Sequence, residues 1–261
     1  MMRKFKPKEA NKHYDELKEY AATRTEEISA MMGPYIRITD RYGRLISRIV
    51  LLLGNVKPSS IQDLVIRDLM ADVFNFLYET RPLILAGKIS VAFPIARRAY
   101  ESLSLLHLCA VNEEWAEKWQ KGKKIGNVEI RRELSAHPMG EPEEQMKELY
   151  NFFCSATHPN RELIPRRFLG DGNEYVLGVI GAPNLVMVVD YCSKILEMWF
   201  WLTATVSYFY GEIIHKIDKG YPEAYRQAAE EAKKAKGWLI ENFNRLLKEE
   251  QAYWERNPID E

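Results

Sequence analysis

Two short runs hold the residues best suited to chemistry. The first, Arg97-Arg98-Ala99-Tyr100-Glu101, places a guanidinium and a carboxylate four positions apart, on one face of a helix. The Leu-rich stretch that follows, from Leu103 to Leu108, surrounds the helix with apolar side chains, so its second half reads as buried. A charge in such a setting is costly unless paired, so an ion pair or a bound ligand must satisfy it. The second run, residues 146–162, carries Tyr150, Cys154 and His158 at i, i+4 and i+8. Pro159 ends this helix, which leaves His158 at a carbonyl-rich C-terminus that favours imidazolium. A histidine there either caps the helix or serves as general acid or base near neutral pH. Arg97, Arg98 and Glu101 on the first run and His158 on the second are the residues able to do chemistry, with Arg97 and Tyr150 as ligand-binding candidates.

A third run, Arg132-Glu133-Leu134-Ser135-Ala136-His137, holds an arginine and a histidine five positions apart. Lysines 121, 123 and 124 and arginines 161, 166 and 167 lie in neighbouring loops that could track phosphates. Metal ligation is the weaker use of the remaining donors. His107-x-Cys109 and Cys154-x-x-x-His158 have usable spacings, but nothing in the sequence brings the two pairs together. No metal and no cofactor is expected.

These residues sit on segments with helical spacing. Helices are expected near 9–31, 36–53, 60–80, 90–111, 113–121, 126–136, 142–157, 185–217 and 222–255. Ser60 with Asp63 three residues on marks one helix start, and Pro82 is expected to kink or split that helix. The segment 160–184 breaks the pattern. Gly170-Asp171-Gly172-Asn173 followed by Tyr175 to Ile180 suggests a short irregular or β-hairpin insert. The fold expected is an all-α helical bundle, a single domain over 1–261 with a flexible basic arm at 1–12 and a peripheral C-terminal helix at 222–261.

Composition narrows the classes further. The chain has 261 residues, with 37 Lys+Arg against 37 Asp+Glu, which argues against a globally basic nucleic-acid coat or an acidic disordered tail. Three scattered cysteines, Cys109, Cys154 and Cys192, read as free thiols of a cytoplasmic protein. The most apolar run, Met198 to Gly211, is too short to span a bilayer, so no membrane partner is expected. Its apolar surface suggests core packing or self-association through the 185–217 helix, giving a homo-oligomer.

The run Arg98-Ala-Tyr-Glu101, then Asn112 to Trp119, Arg131 to Leu134, and Tyr150 through Ser155-Ala-Thr-His158-Pro resembles a group of uncharacterised prokaryotic all-helical proteins. Their marks are an Arg-x-x-Glu helix and a Ser-x-x-His-Pro helix end, here within about residues 88–165. The resemblance implies that Arg98, Glu101 and His158 converge. The Arg132 to His137 run is similar in spacing to the motif of HEPN domains, helical bundles that often act as metal-independent ribonucleases, although Pro138 places it at a helix end. Three functions stand as expectations. One is a self-associating binding or scaffold protein whose polar pocket, with its catalytic candidates, is the Arg98, Glu101 and His158 that the first resemblance implies; the second is a HEPN-like ribonuclease that binds and cuts RNA, for which the second resemblance makes Arg132 and His137 the alternative catalytic pair; the third is a binder of a small anionic ligand held by Arg97 or Arg98.

Overall fold

A computed structural model describes residues 25–155 and 185–256, with a few positions before them. The expected basic arm at 1–12, His158 and the expected insert at 160–184 lie outside the described residues. What is described is all-α, without a strand. Residues 25–31 are helical and lead into α1 (Gly33–Gly54). There follow α2 (Ile61–Leu85), α3 (Ile89–Val111), α4 (Glu113–Gln120), α5 (Asn127–Ser135), α6 (Glu143–Ser155), α7 (Leu185–Phe209), α8 (Gly211–Ile217) and α9 (Tyr221–Arg256).

Local chemistry sets several of these boundaries. Ser60 starts α2 by accepting the Asp63 N–H on its hydroxyl at 3.1 Å, and Asn112 starts α4 by accepting the Glu114 N–H at 3.0 Å. The α2–α3 turn closes at Gly87, whose φ of 68° is open to glycine at little cost. There Lys88 N–H donates to the Leu83 carbonyl at 2.8 Å, capping the exposed end of α2. Pro82 does not split α2, which runs through it to Leu85. The ring removes one hydrogen bond, to the carbonyl of exposed Tyr78, and the ladder resumes when Ala86 N–H donates to Pro82 itself.

α2 and α3 form a long antiparallel hairpin, and α7 lies across it as the central helix, packed on α1, α2, α3 and α9. The shorter α4, α5 and α6 close one flank against α2 and α3. All buried apolar side chains join one continuous core. The second half of α3 is buried on every side, from Ser102 through Ala110 with only Leu105 partly open. The 185–217 segment bends at Tyr210 into α7 and α8, and the apolar surface that suggested self-association is spent inside the molecule. Val188, Cys192, Ile195, Trp199, Leu202 and Val206 are all in the core, leaving Phe200 and Tyr208 exposed.

α9 packs by a narrow stripe of Ala228, Ala232, Ala235 and Leu239. Ion pairs from Arg41 to Glu231 and from Lys236 to Glu197 tie it to α1 and α7. At the opposite end, Asp63 is the polar knot of the fold. Its carboxylate accepts from Arg67 Nε at 2.8 Å and Nη2 at 3.1 Å, from Ser59 N–H at 2.8 Å and from Tyr210 OH at 2.8 Å. Arg67 Nη1 also donates to the Leu53 and Val56 carbonyls at 2.9 and 2.6 Å, so one buried pair joins α1, α2 and the end of α7.

Candidate functional site

α3, α5 and α6 bring a polar cluster together at one flank of the bundle. On α3, Arg97 Nε donates to Glu101 Oε1 at 3.0 Å, the contact that their four-residue spacing allows. Arg97 Nη2 donates to the Tyr150 hydroxyl on α6 at 3.0 Å, and its Cζ lies 5.4 Å from the centre of the Tyr150 ring. On α5, Asn127 Nδ2 donates to the same Glu101 oxygen at 3.2 Å. Arg131, also on α5, brings its Cζ to 5.1 Å from the Tyr150 ring, so two guanidiniums flank one phenol.

Arg131 differs from its neighbours in how it is held. Only 7% of its surface is exposed, yet Nε and Nη1 have no hydrogen-bond partner among the described residues. Two guanidiniums, Arg97 and Arg131, meet at the Tyr150 ring, and the carboxylate hydrogen-bonded there, Glu101, is already shared by Arg97 and Asn127. A buried cation left in surplus costs several kcal/mol, and a planar guanidinium is built to meet a carboxylate or a phosphate. Beneath the cluster, Tyr100 donates to the Met146 carbonyl at 2.7 Å and so fixes α6 on α3. Burial pushes the Tyr100 hydroxyl up to about 12, so it stays protonated as a donor.

The other candidates fall elsewhere. Arg98, one residue and a quarter-turn from Arg97, points away from Glu101 and toward α2. There its Nη2 lies 3.9 Å from Asp72 and its Cζ 5.9 Å from the Phe76 ring, with most of the side chain in solvent. His158, the third member of the expected trio, is outside the described residues. Arg132 is exposed and turns to Glu133 at 3.4 Å, while His137 Nδ1 accepts the Met139 N–H at 3.1 Å and so holds the turn after α5. That turn is tight: a side chain at Gly140 would overlap the Leu134 carbonyl. Of the metal-spaced residues, His107 and Cys109 are buried, and the Cys109 thiol is pushed up to about 12 by burial. Among the described residues no group of three His, Cys, Asp or Glu is placed to hold a metal ion, and no helix is long and apolar enough to cross a membrane.

On the opposite side of α6 lies a cleft of about 1060 Å³ between α6, α7 and α9. Leu149, Phe152, Met198, Phe200 and Trp201 form its apolar lining, and Glu141, Glu197, Lys194, Lys233 and Lys236 stand around it. Trp201 connects this wall to the core, because its indole N–H donates to His107 Nδ1 at 2.9 Å. An indole nitrogen can only donate, so His107 keeps its lone pair on Nδ1 and is neutral. Burial, with a smaller push from His137, lowers its pKa to about 4. Burial and the neighbouring Glu197 push Glu141 above the ordinary carboxylate range.

No known protein-family model matches the chain, and no curated protein or solved structure is similar to it. The site is thus read from its own residues. Arg131 is the member that motif spacing passes over in favour of Arg132. The signal for it was present, because Ile130, Arg131 and Leu134 share the buried face of α5.

Proposed function

We propose that the protein is a ligand-binding protein that recognises an anionic group, a carboxylate or a phosphate, at Arg97 and Arg131 beside Tyr150. One observation carries this reading: Arg131 is buried, and two of its nitrogens lack an acceptor among the described residues. Arg97, held by Glu101 at 3.0 Å and by Tyr150 at 3.0 Å, supplies a second charge in a fixed orientation. The bound anion would complete the cluster in the way a salt-bridge partner completes a buried arginine. Glu101 then acts as a positioning residue that orients Arg97.

Thermal unfolding with inorganic phosphate and with citrate, against sodium chloride at matched ionic strength, tests the proposal. Stabilisation should grow with concentration by mass action, reaching about 2.7 kcal/mol at a hundredfold excess over Kd. Arg131→Met should abolish the response without lowering the melting temperature of the free protein, because it removes a surplus buried charge while keeping the volume. An equal response in Arg131→Met, or none in the native protein, contradicts it. RNA is the macromolecular carrier of the same group. Cleavage of RNA in chelator, lost in His137→Ala, would replace binding with nuclease chemistry as the function.

A further inference from the structure

The cleft between α6, α7 and α9 is separate from the arginine cluster. Leu149 and Phe152 of α6 face the cleft, whereas Tyr150 of the same helix meets Arg97 and Arg131. Three features of the cleft act together. Its volume, about 1060 Å³, is at the upper end of the range in which drug-sized ligands are enclosed. Its floor presents Phe200, a large aromatic left 43% exposed, beside Trp201. Facing this floor, α9 carries Ala229 and Ala232, where the same helix places Leu239 and Leu246 against the core further along. At these two positions, between Tyr225 and Lys233, small side chains leave space open opposite the aromatic ones.

The charges at the rim decide what kind of molecule fits. Lys194, Lys233 and Lys236 are matched by Glu141, Glu148 and Glu197, and Lys236 is closed onto Glu197 at 2.7 Å. An anionic ligand would face the three carboxylates and a cationic one the three ammonium groups, so neither sign gains from the rim as a whole. Burial of apolar surface is then the term that drives binding. We infer that this cleft binds an uncharged amphiphile, an aromatic or acyl body with a small neutral polar end, held by Phe152, Phe200 and Trp201 and rimmed by self-cancelling charge.

The test uses the full chain and the neutral dye Nile red, with Trp emission as a second readout. Nile red fluorescence should rise on binding, and decanol should displace the dye at a concentration no higher than decanoate or decyltrimethylammonium requires. Ala229→Phe, which fills the cleft from α9, and Phe200→Asp, which places a charge on its exposed floor, should each weaken Nile red binding at least tenfold. Both variants should keep the native melting temperature and the native response to phosphate, which separates failure here from failure of the anion site. The inference is overturned if the native protein does not bind the dye, or if both variants bind it as the native protein does. It is also overturned if either charged chain displaces the dye tenfold better than decanol. Dye binding that falls as protein concentration rises, with a dimer in sedimentation, would assign the cleft to a second copy and equally overturn it.

Discussion

Asp63→Ala is expected to destabilise the protein by about 3–5 kcal/mol, because it breaks a buried ion pair by removing one partner only. The carboxylate accepts from Arg67 twice, from Ser59 and from Tyr210, and is 3% exposed. Its loss leaves half-buried Arg67 Nε and Nη2 without the acceptor they have now and leaves the buried Tyr210 hydroxyl only the Asp63 backbone carbonyl at 3.3 Å. It also removes the side-chain contact between α2 and the end of α7, and the acceptor that orients Arg67 on the end of α1. Burial alone would raise this carboxyl, but the hydrogen bonds from Arg67, Ser59 and Tyr210 outweigh it and hold it below the ordinary range. A group whose pKa is lower in the folded state stabilises above its unfolded pKa and loses that contribution as pH falls through the folded one. Urea unfolding at neutral pH checks the magnitude, and a loss under 1 kcal/mol would refute the reading of Asp63 as the knot. Asp63→Asn should recover part of the loss, since an amide oxygen still accepts from Tyr210 or Arg67.

The second large effect is a pH dependence from His107. Its folded pKa is about 4 against the ordinary 6.5, so between those values the unfolded chain takes up a proton that the folded chain refuses. Stability should therefore fall as pH drops from about 6.5 to about 4, by roughly 3 kcal/mol in total at about 1.4 kcal/mol per pH unit. The cause is geometric as well as dielectric. Protonation at Nδ1 would set an N–H against the Trp201 N–H that now donates to it. His107→Gln keeps an acceptor for the indole and should flatten this part of the stability curve, leaving the acid loss due to Asp63 at lower pH. An unchanged slope in His107→Gln would show that another group titrates there.

Much of the scaffold could be read from local pattern. The cap at Ser60 and the apolar surround of Leu103 to Leu108 are short-range signals, and the corresponding helices begin and bury as they predict. Pro82 does not split α2 because a proline near a helix end costs only one hydrogen bond, at an exposed residue. The apolar 185–217 run reads as a surface to be covered, in the core or by a second copy. Hydrophobicity shows that a surface is covered but not by what, and here α1, α2, α3 and α9 cover it. In the site, the Arg97–Glu101 contact follows from four-residue spacing, whereas motif logic favours Arg98, which the helix turns toward Asp72. Arg131 and the cleft depend on apposition of α3, α5 and α6, or of α6, α7 and α9, which no window of sequence contains.

The account rests on Arg131 as the buried cation that an anion completes. Side-chain ¹⁵N NMR of the arginines during a phosphate titration observes that group directly, with Arg131→Met assigning its resonance. The account predicts that the Arg131 Nε–H signal shifts saturably with phosphate, that Arg97 moves with it, and that exposed Arg98 and Arg132 stay in place. If Arg131 does not move while the exposed arginines shift together without saturation, the anion meets only the surface, and the binding function proposed for this cluster is wrong.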